Sequence, residues 1–105
     1  MGRKNDRKPV DMRADFRASG DQVIVVLSDI SVKGCRITVS GIPLTPNQNV
    51  VLRPDGLEHL TGTVRWAMGC FAGIEFDLPL DSSVVEYLCR LHPDHNGRVT
   101  LELAA

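Results

Sequence analysis

Apolar and polar positions alternate along most of this chain, and the alternation predicts strands. Val10, Met12, Ala14 and Phe16 interleave with Asp11, Arg13, Asp15 and Arg17, the period of a strand with one face buried. Ser19-Gly20-Asp21 turns this strand into a second, Gln22 to Leu27, whose apolar run from Val23 to Leu27 reads as buried on both faces. A third strand runs from Cys35 to Val39, followed by a loop carrying Gly41, Pro43 and Pro46. Asn49 to Arg53 is a short fourth strand, ended by the Pro54-Asp55-Gly56 turn, and Leu60 to Ala67 and Cys70 to Phe76 form a hairpin around Met68-Gly69. Six strands spaced about every ten residues, with turn chemistry between them, predict a small closed barrel.

One helix is expected after the strands. Ser83 followed by Glu86 forms a capping box, and Val84, Tyr87, Leu88 and Leu91 make one apolar stripe. That stripe is expected to cover an open end or face of the barrel. Pro93 and Gly97 stop the helix, and Val99 to Leu103 add a last extended segment.

Composition bounds the reading. At 105 residues and 43% hydrophobic the chain holds one domain with one modest core. The formal charge of -1 hides an asymmetry: residues 1 to 17 hold six cations against three acids, so the front end is +3 and the remainder -4. A basic front end on an acidic body suggests an anionic ligand or partner met by an N-terminal arm; a solvated terminus is the plainer reading of the same charges. Cys35, Cys70 and Cys89 contain no C-x-x-C pair and read as buried, reduced thiols of a cytosolic protein. No apolar stretch reaches membrane-span length, Met1-Gly2-Arg3-Lys4 leads into polar residues rather than a signal core, and Asp6 stands where a myristoylation signal wants Ser or Thr. A soluble, cytoplasmic protein without membrane insertion is expected.

Catalytic chemistry finds little footing. His92 and His95 flank Pro93 without a completing Cys or acid, Ser31 lacks a glycine elbow, and Glu75 alternates with Ile74 and Phe76 as a solvent-facing strand residue. No phosphate-binding loop motif occurs. The chain reads as a binding module rather than an enzyme, with no catalytic residue, metal site or cofactor.

Two segments carry candidate binding chemistry. In Ser28-Asp29-Ile30-Ser31-Val32-Lys33-Gly34-Cys35 a carboxylate, a hydroxyl and a bare backbone patch interrupt the apolar run. They serve either as a structural turn or as hydrogen-bonding groups for a planar polar ligand. Upstream, Arg3-Lys4-Asn5-Asp6-Arg7 has the form R-x-x-x-R. Two guanidiniums on a flexible arm can fold over a ligand, each gripping a phosphate bidentately or stacking on a base. A second R-x-x-x-R, Arg13 to Arg17, lies within a strand, its arginines about 13 Å apart on one face at ~3.3 Å per residue. That placement suits an exposed sheet face better than a clamp. Trp66 is expected in the core, with a stacking platform as the other reading, and Arg36 and Arg65 can extend a basic surface beside the site.

Together these pieces resemble the PilZ domain of bacteria. R-x-x-x-R, then about twenty residues on D-x-S-x-x-G, then Gly62-Thr63-Val64-Arg65-Trp66, then Gly73-Ile74-Glu75-Phe76 before Pro79-Leu80 and a helix follow that family's layout over nearly the whole chain. The resemblance implies an all-β fold, a six-stranded antiparallel β-barrel with one C-terminal α-helix. It implies a basic arm at residues 1–9 and a single barrel domain at 10–105, with the helix near 82–92. The ligand it implies is the second messenger cyclic di-GMP. Arg3 and Arg7 would contact its phosphates and guanine faces, while Asp29, Ser31 and Gly34 would bind a guanine edge and permit close approach. The chain departs from the common pattern at Lys4, where many members carry arginine, at Lys33, where many carry a small residue, and at Asp6, which puts a negative charge inside the clamp.

The resemblance implies that ligand orders the arm and relays a signal to a downstream protein partner. A PilZ-fold interaction module that binds protein and no nucleotide is the alternative. Single-stranded nucleic-acid binding is disfavoured by the acidic body and by only five aromatic residues, so DNA and RNA are not expected as partners.

Overall fold

The computed structural model describes residues 7–54 and 56–93; Arg3, Asp6, Gly97 and the extended segment expected at 99–103 lie outside them. Six strands form: β1 Lys8–Ala18, β2 Asp21–Ile30, β3 Gly34–Thr38, β4 Asn49–Pro54, β5 Leu60–Met68 and β6 Phe71–Phe76, followed by helix α1 Ser82–Leu91. They close into an antiparallel barrel in the order β1-β2-β3-β6-β5-β4, with β4 returning to β1. The expected barrel and helix are therefore present. β1 already includes Lys8 and Pro9, so pairing starts inside the segment read as the arm.

The alternation does the sorting. Val10, Met12, Ala14 and Phe16 are all buried and their charged neighbours face out. With Leu27, Ile30, Ile37, Leu52 and Val64 they make one core. Burying a large aliphatic or aromatic side chain contributes about 1.5–3 kcal/mol, whereas a half-exposed ion pair contributes about 0–1 kcal/mol. All four ion pairs among the described residues have at least one half-exposed partner, so the barrel is held by its interior.

Several expectations are corrected. β2 is not buried on both faces: Ile24 is 63% exposed, because β2 has core on one side only. Ser28, Asp29 and Ile30 belong to β2, and the turn proper is Ser31-Val32-Lys33. The β5–β6 hairpin turns at Gly69-Cys70, with Met68 paired to Phe71. Cys35 is buried, but Cys89 is half-buried and Cys70 lies exposed at that hairpin tip. Burial pushes the Cys35 thiol far above its ordinary range, and the Asp29 charge adds to the effect.

The helix is capped by Asp81 rather than by a Ser83–Glu86 box. The Asp81 carboxylate accepts from the Ser83 N–H at 2.9 Å and from the Ser83 hydroxyl at 2.8 Å. Its stripe is also rotated: Val85 and Leu88 enter the core, while Tyr87 and Leu91 are about half exposed. Apolar residues at 84, 85, 87, 88 and 91 allow two overlapping stripes. Docking against β1, where the Asp11 N–H donates to the His92 carbonyl at 3.1 Å, selects one of them.

The two bonds from Ser83 hold the Asp81 carboxyl below its ordinary value. A depressed value means that the cap's contribution is complete above the ordinary aspartate value of about 3.9 and is lost as pH falls through the lower, folded one. Asp81→Ala should therefore lower the melting temperature at neutral pH and lower it progressively less as acid protonates the wild-type cap. Thermal melts followed by circular dichroism across that range check this, and an equal deficit at both ends would contradict it.

Candidate functional site

Two β-bulges build the site. Pairing of β2 with β3 slips between Leu27 and Asp29, so both Leu27 and Ile30 point inward and Ser28 and Asp29 are left at the surface. Pairing of β5 with β6 slips between Val64 and Trp66. Simple alternation would send Trp66 inward beside Val64; the bulge turns both Arg65 and Trp66 outward, and Trp66 is 39% exposed. The expected core tryptophan is thus a surface residue. A bulge is not written in hydrophobic period, which is why the pattern missed it.

Register then aligns the two bulges. Asp29 pairs with Arg36, Arg36 with Gly73 and Gly73 with Trp66, one row across β2, β3, β6 and β5. Three strand spacings of about 4.8 Å separate its ends by roughly 14 Å. Gly73 leaves room for the indole, since a Cβ there would sit 2.2 Å from Trp66 Nε1. Arg36 reaches Asp29 Oδ2 at 3.8 Å, donates from Nε to Ser28 Oγ at 3.1 Å, and lies 5.7 Å from the Phe71 ring centroid. Arg65 is paired with Glu75 at the edge of the same surface.

Arg7 joins the two motifs. Its Nη1 donates to Asp29 Oδ1 at 2.8 Å across 22 residues of sequence. Two clefts meet at this arginine. The first, about 210 Å³, is lined by Arg7, Ser31, Gly34, Arg65, Trp66 and Glu75 among others. The second, about 510 Å³, includes Arg7, Asp29, Arg36, Val26, Ser28 and Phe71 in its lining. The candidate residues are therefore divided. Ser31 and Gly34 face one cleft, Asp29 faces the other, and Arg7 stands between them. Arg3 lies outside the described residues.

Ser31 and Gly34 are committed to the turn itself. The Ser31 hydroxyl oxygen accepts from the Lys33 and Gly34 N–H groups, each at 3.2 Å, and the Ser31 N–H donates to the Gly34 carbonyl at 2.8 Å. Ser31 is 2% exposed. The turn is tied further, because its Val32 and Lys33 carbonyls accept from the Leu80 and Phe76 N–H groups at 2.7 and 2.8 Å. At Gly34 a Cβ would sit 2.1 Å from the Ile74 carbonyl oxygen, so the glycine allows β3 to pair closely with β6. These two residues give the site a rigid floor, and the groups left to meet a ligand are Arg7, Asp29, Arg36, Arg65 and Trp66.

No group of three or more His, Cys, Asp or Glu that could hold a metal ion occurs among the described residues, and no described helix is long and apolar enough to cross a membrane.

A closed six-stranded barrel with one C-terminal helix, carrying two surface clefts that share Arg7, defines the class of domain. Residues 2–92 match the family model of the PilZ domain, and the chain belongs to that family, whose members are generally non-enzymatic cyclic di-GMP receptors that work with partner proteins. Among solved structures, one similar to this chain is the inhibitor of motility MotI/DgrA of Bacillus subtilis, at 11% identity with a TM-score of 0.67. The alignment covers 86% of this chain and 51% of that one, so this chain spans about half the length of that protein. At such identity the likeness is one of fold. No curated protein sequence matches the chain.

Proposed function

We propose that this domain binds cyclic di-GMP through Arg3, Arg7, Asp29, Ser31 and Gly34, and that the bound state is read by a partner protein. The observation that carries the proposal is the Arg7–Asp29 contact between the two clefts. It sets Arg7 of R-x-x-x-R against Asp29 of D-x-S-x-x-G. A guanine edge presents N–H donors at N1 and N2, so it replaces Arg7 on Asp29 and returns the guanidinium to the phosphates. Each charge-assisted hydrogen bond of this kind contributes ~1.5–3 kcal/mol, enough for two arginines to offset the ordering of a short arm. Ser31 and Gly34 act by fixing the turn that follows Asp29 at the end of β2. Trp66 supplies an aromatic face, in a cleft shared with Arg7, on which a base can stack.

Calorimetric titration with cyclic di-GMP tests this, with fluorescence of Trp66, the only tryptophan, as a local probe. Saturable heat together with quenching is the expected result. Absence of heat and of any thermal shift would leave the fold serving as a protein-interaction module without nucleotide.

A further inference from the structure

The second R-x-x-x-R, Arg13 to Arg17, takes no part in that site. It lies toward the far end of β1; Arg17 is ten residues from Arg7, roughly 33 Å along an extended strand at ~3.3 Å per residue. Register places these arginines in a separate surface. Arg13 stands beside Val26, Asp15 beside Ile24 and Arg17 beside Gln22 on β2. On the other side Asp15 stands beside Arg53 and Arg17 beside Val51 on β4. Two clefts of about 480 and 180 Å³ open here and share Asp15 and Arg53. Ile24, 63% exposed, lines the larger one with Arg13, and Arg17 and His59 line the smaller.

The charges on this face are one-sided. Among the described residues lining the two clefts, three guanidiniums face one carboxylate, and that carboxylate, Asp15, is engaged by Arg53 at 3.6 Å. Arg13 and Arg17 make no ion pair with a described residue. This surplus of cations sits on a chain whose total is -1.

We propose that the β1–β2–β4 face is a docking surface for a carboxylate-rich protein segment, one of whose apolar side chains covers Ile24. Charge complementarity selects the occupant. Arginine suits such a contact because its planar fork binds carboxylates bidentately and loses little freedom in doing so. A single isolated isoleucine on a surface means little; here it shares a cleft with Arg13 and Arg53. The same face does not suit nucleic acid, because its described lining offers no exposed Phe, Tyr or Trp for base stacking and centres on Asp15. Nor does it suit a bilayer surface, which needs a broader apolar face than one side chain.

The test is a titration of the full chain, labelled with nitrogen-15, with a short synthetic peptide rich in glutamate around a central leucine. The expected result is amide shifts confined to the neighbourhood of Arg13, Ile24 and Arg53, absent at residues 29–34, and weakening as ionic strength rises. Ile24→Asp, and Arg13→Glu combined with Arg17→Glu, should each weaken binding about tenfold or more with near-wild-type melting temperatures. Shifts confined to the N-terminal residues would overturn the proposal. So would equal shifts from an oligonucleotide or anionic vesicles, or the same shifts on concentrating the protein without peptide, which would make a second copy the occupant. The surface and its test are independent of cyclic di-GMP.

Discussion

Arg7→Ala is expected to abolish cyclic di-GMP binding while leaving the melting temperature nearly unchanged. The two halves of this result come from two different energies. The Arg7 side chain is half exposed and its pair with Asp29 is open to water, so removing it costs the fold about 0–1 kcal/mol. Against a ligand the same guanidinium can make two charge-assisted hydrogen bonds. At ~1.5–3 kcal/mol each, their loss corresponds to roughly two to four orders of magnitude in Kd. Arg7→Lys keeps the charge but not the fork and should recover only part of the affinity. Calorimetry and a thermal melt on the same preparations decide the matter. A variant that titrates like wild type would remove Arg7 from the site.

Gly34→Ala should show the reverse, a fold that fails at a position bearing no functional group. Its Cβ would meet the Ile74 carbonyl oxygen at 2.1 Å and the Glu75 Cα at 3.2 Å. Both are backbone atoms of β6, so no side-chain rotation relieves the clash and β3 must move away from β6. Overpacking of this kind costs about 2–3 kcal/mol. At about 4–8 °C per kcal/mol for a domain of this size, the melting temperature falls by roughly 10–20 °C. Lys33→Ala, at the exposed neighbouring position, serves as the control and should melt with the wild type. If Gly34→Ala also does so, the β3–β6 spacing does not depend on the glycine.

The barrel was legible because its strands obey a period of two and its turns carry their own chemistry. Val10, Met12, Ala14 and Phe16 announce β1 and all four are buried. Legibility ended wherever an extra residue broke the period. Trp66 reads as core from its place two residues after Val64, and the β5 bulge between them sends it outward instead. The bulge at Ser28-Asp29 likewise carries Asp29 to the surface from a segment that reads as a turn. The motif residues themselves stand out in the sequence, but their division between two clefts does not. That division arises from which strands are neighbours, and β3 beside β6 is a pairing across more than thirty residues. The helix shows the same limit: its apolar residues fit two stripes, and contact with β1 chooses between them.

Closure of the barrel has a consequence for recognition. Each of the six strands has a bonded neighbour on both sides, so the barrel has no edge strand, and a backbone ladder from another chain is limited to stretches such as Asp21–Val25, which has no partner on the β3 side. Over most of the barrel, what this domain meets is read through outward side chains. Inward positions answer to the core and outward ones do not, so the vocabulary of contacts can be rewritten without disturbing the architecture. The two proposed contacts accordingly lie at opposite ends of one strand, the first at Arg7 just ahead of β1 and the second at Arg13 to Arg17 within it.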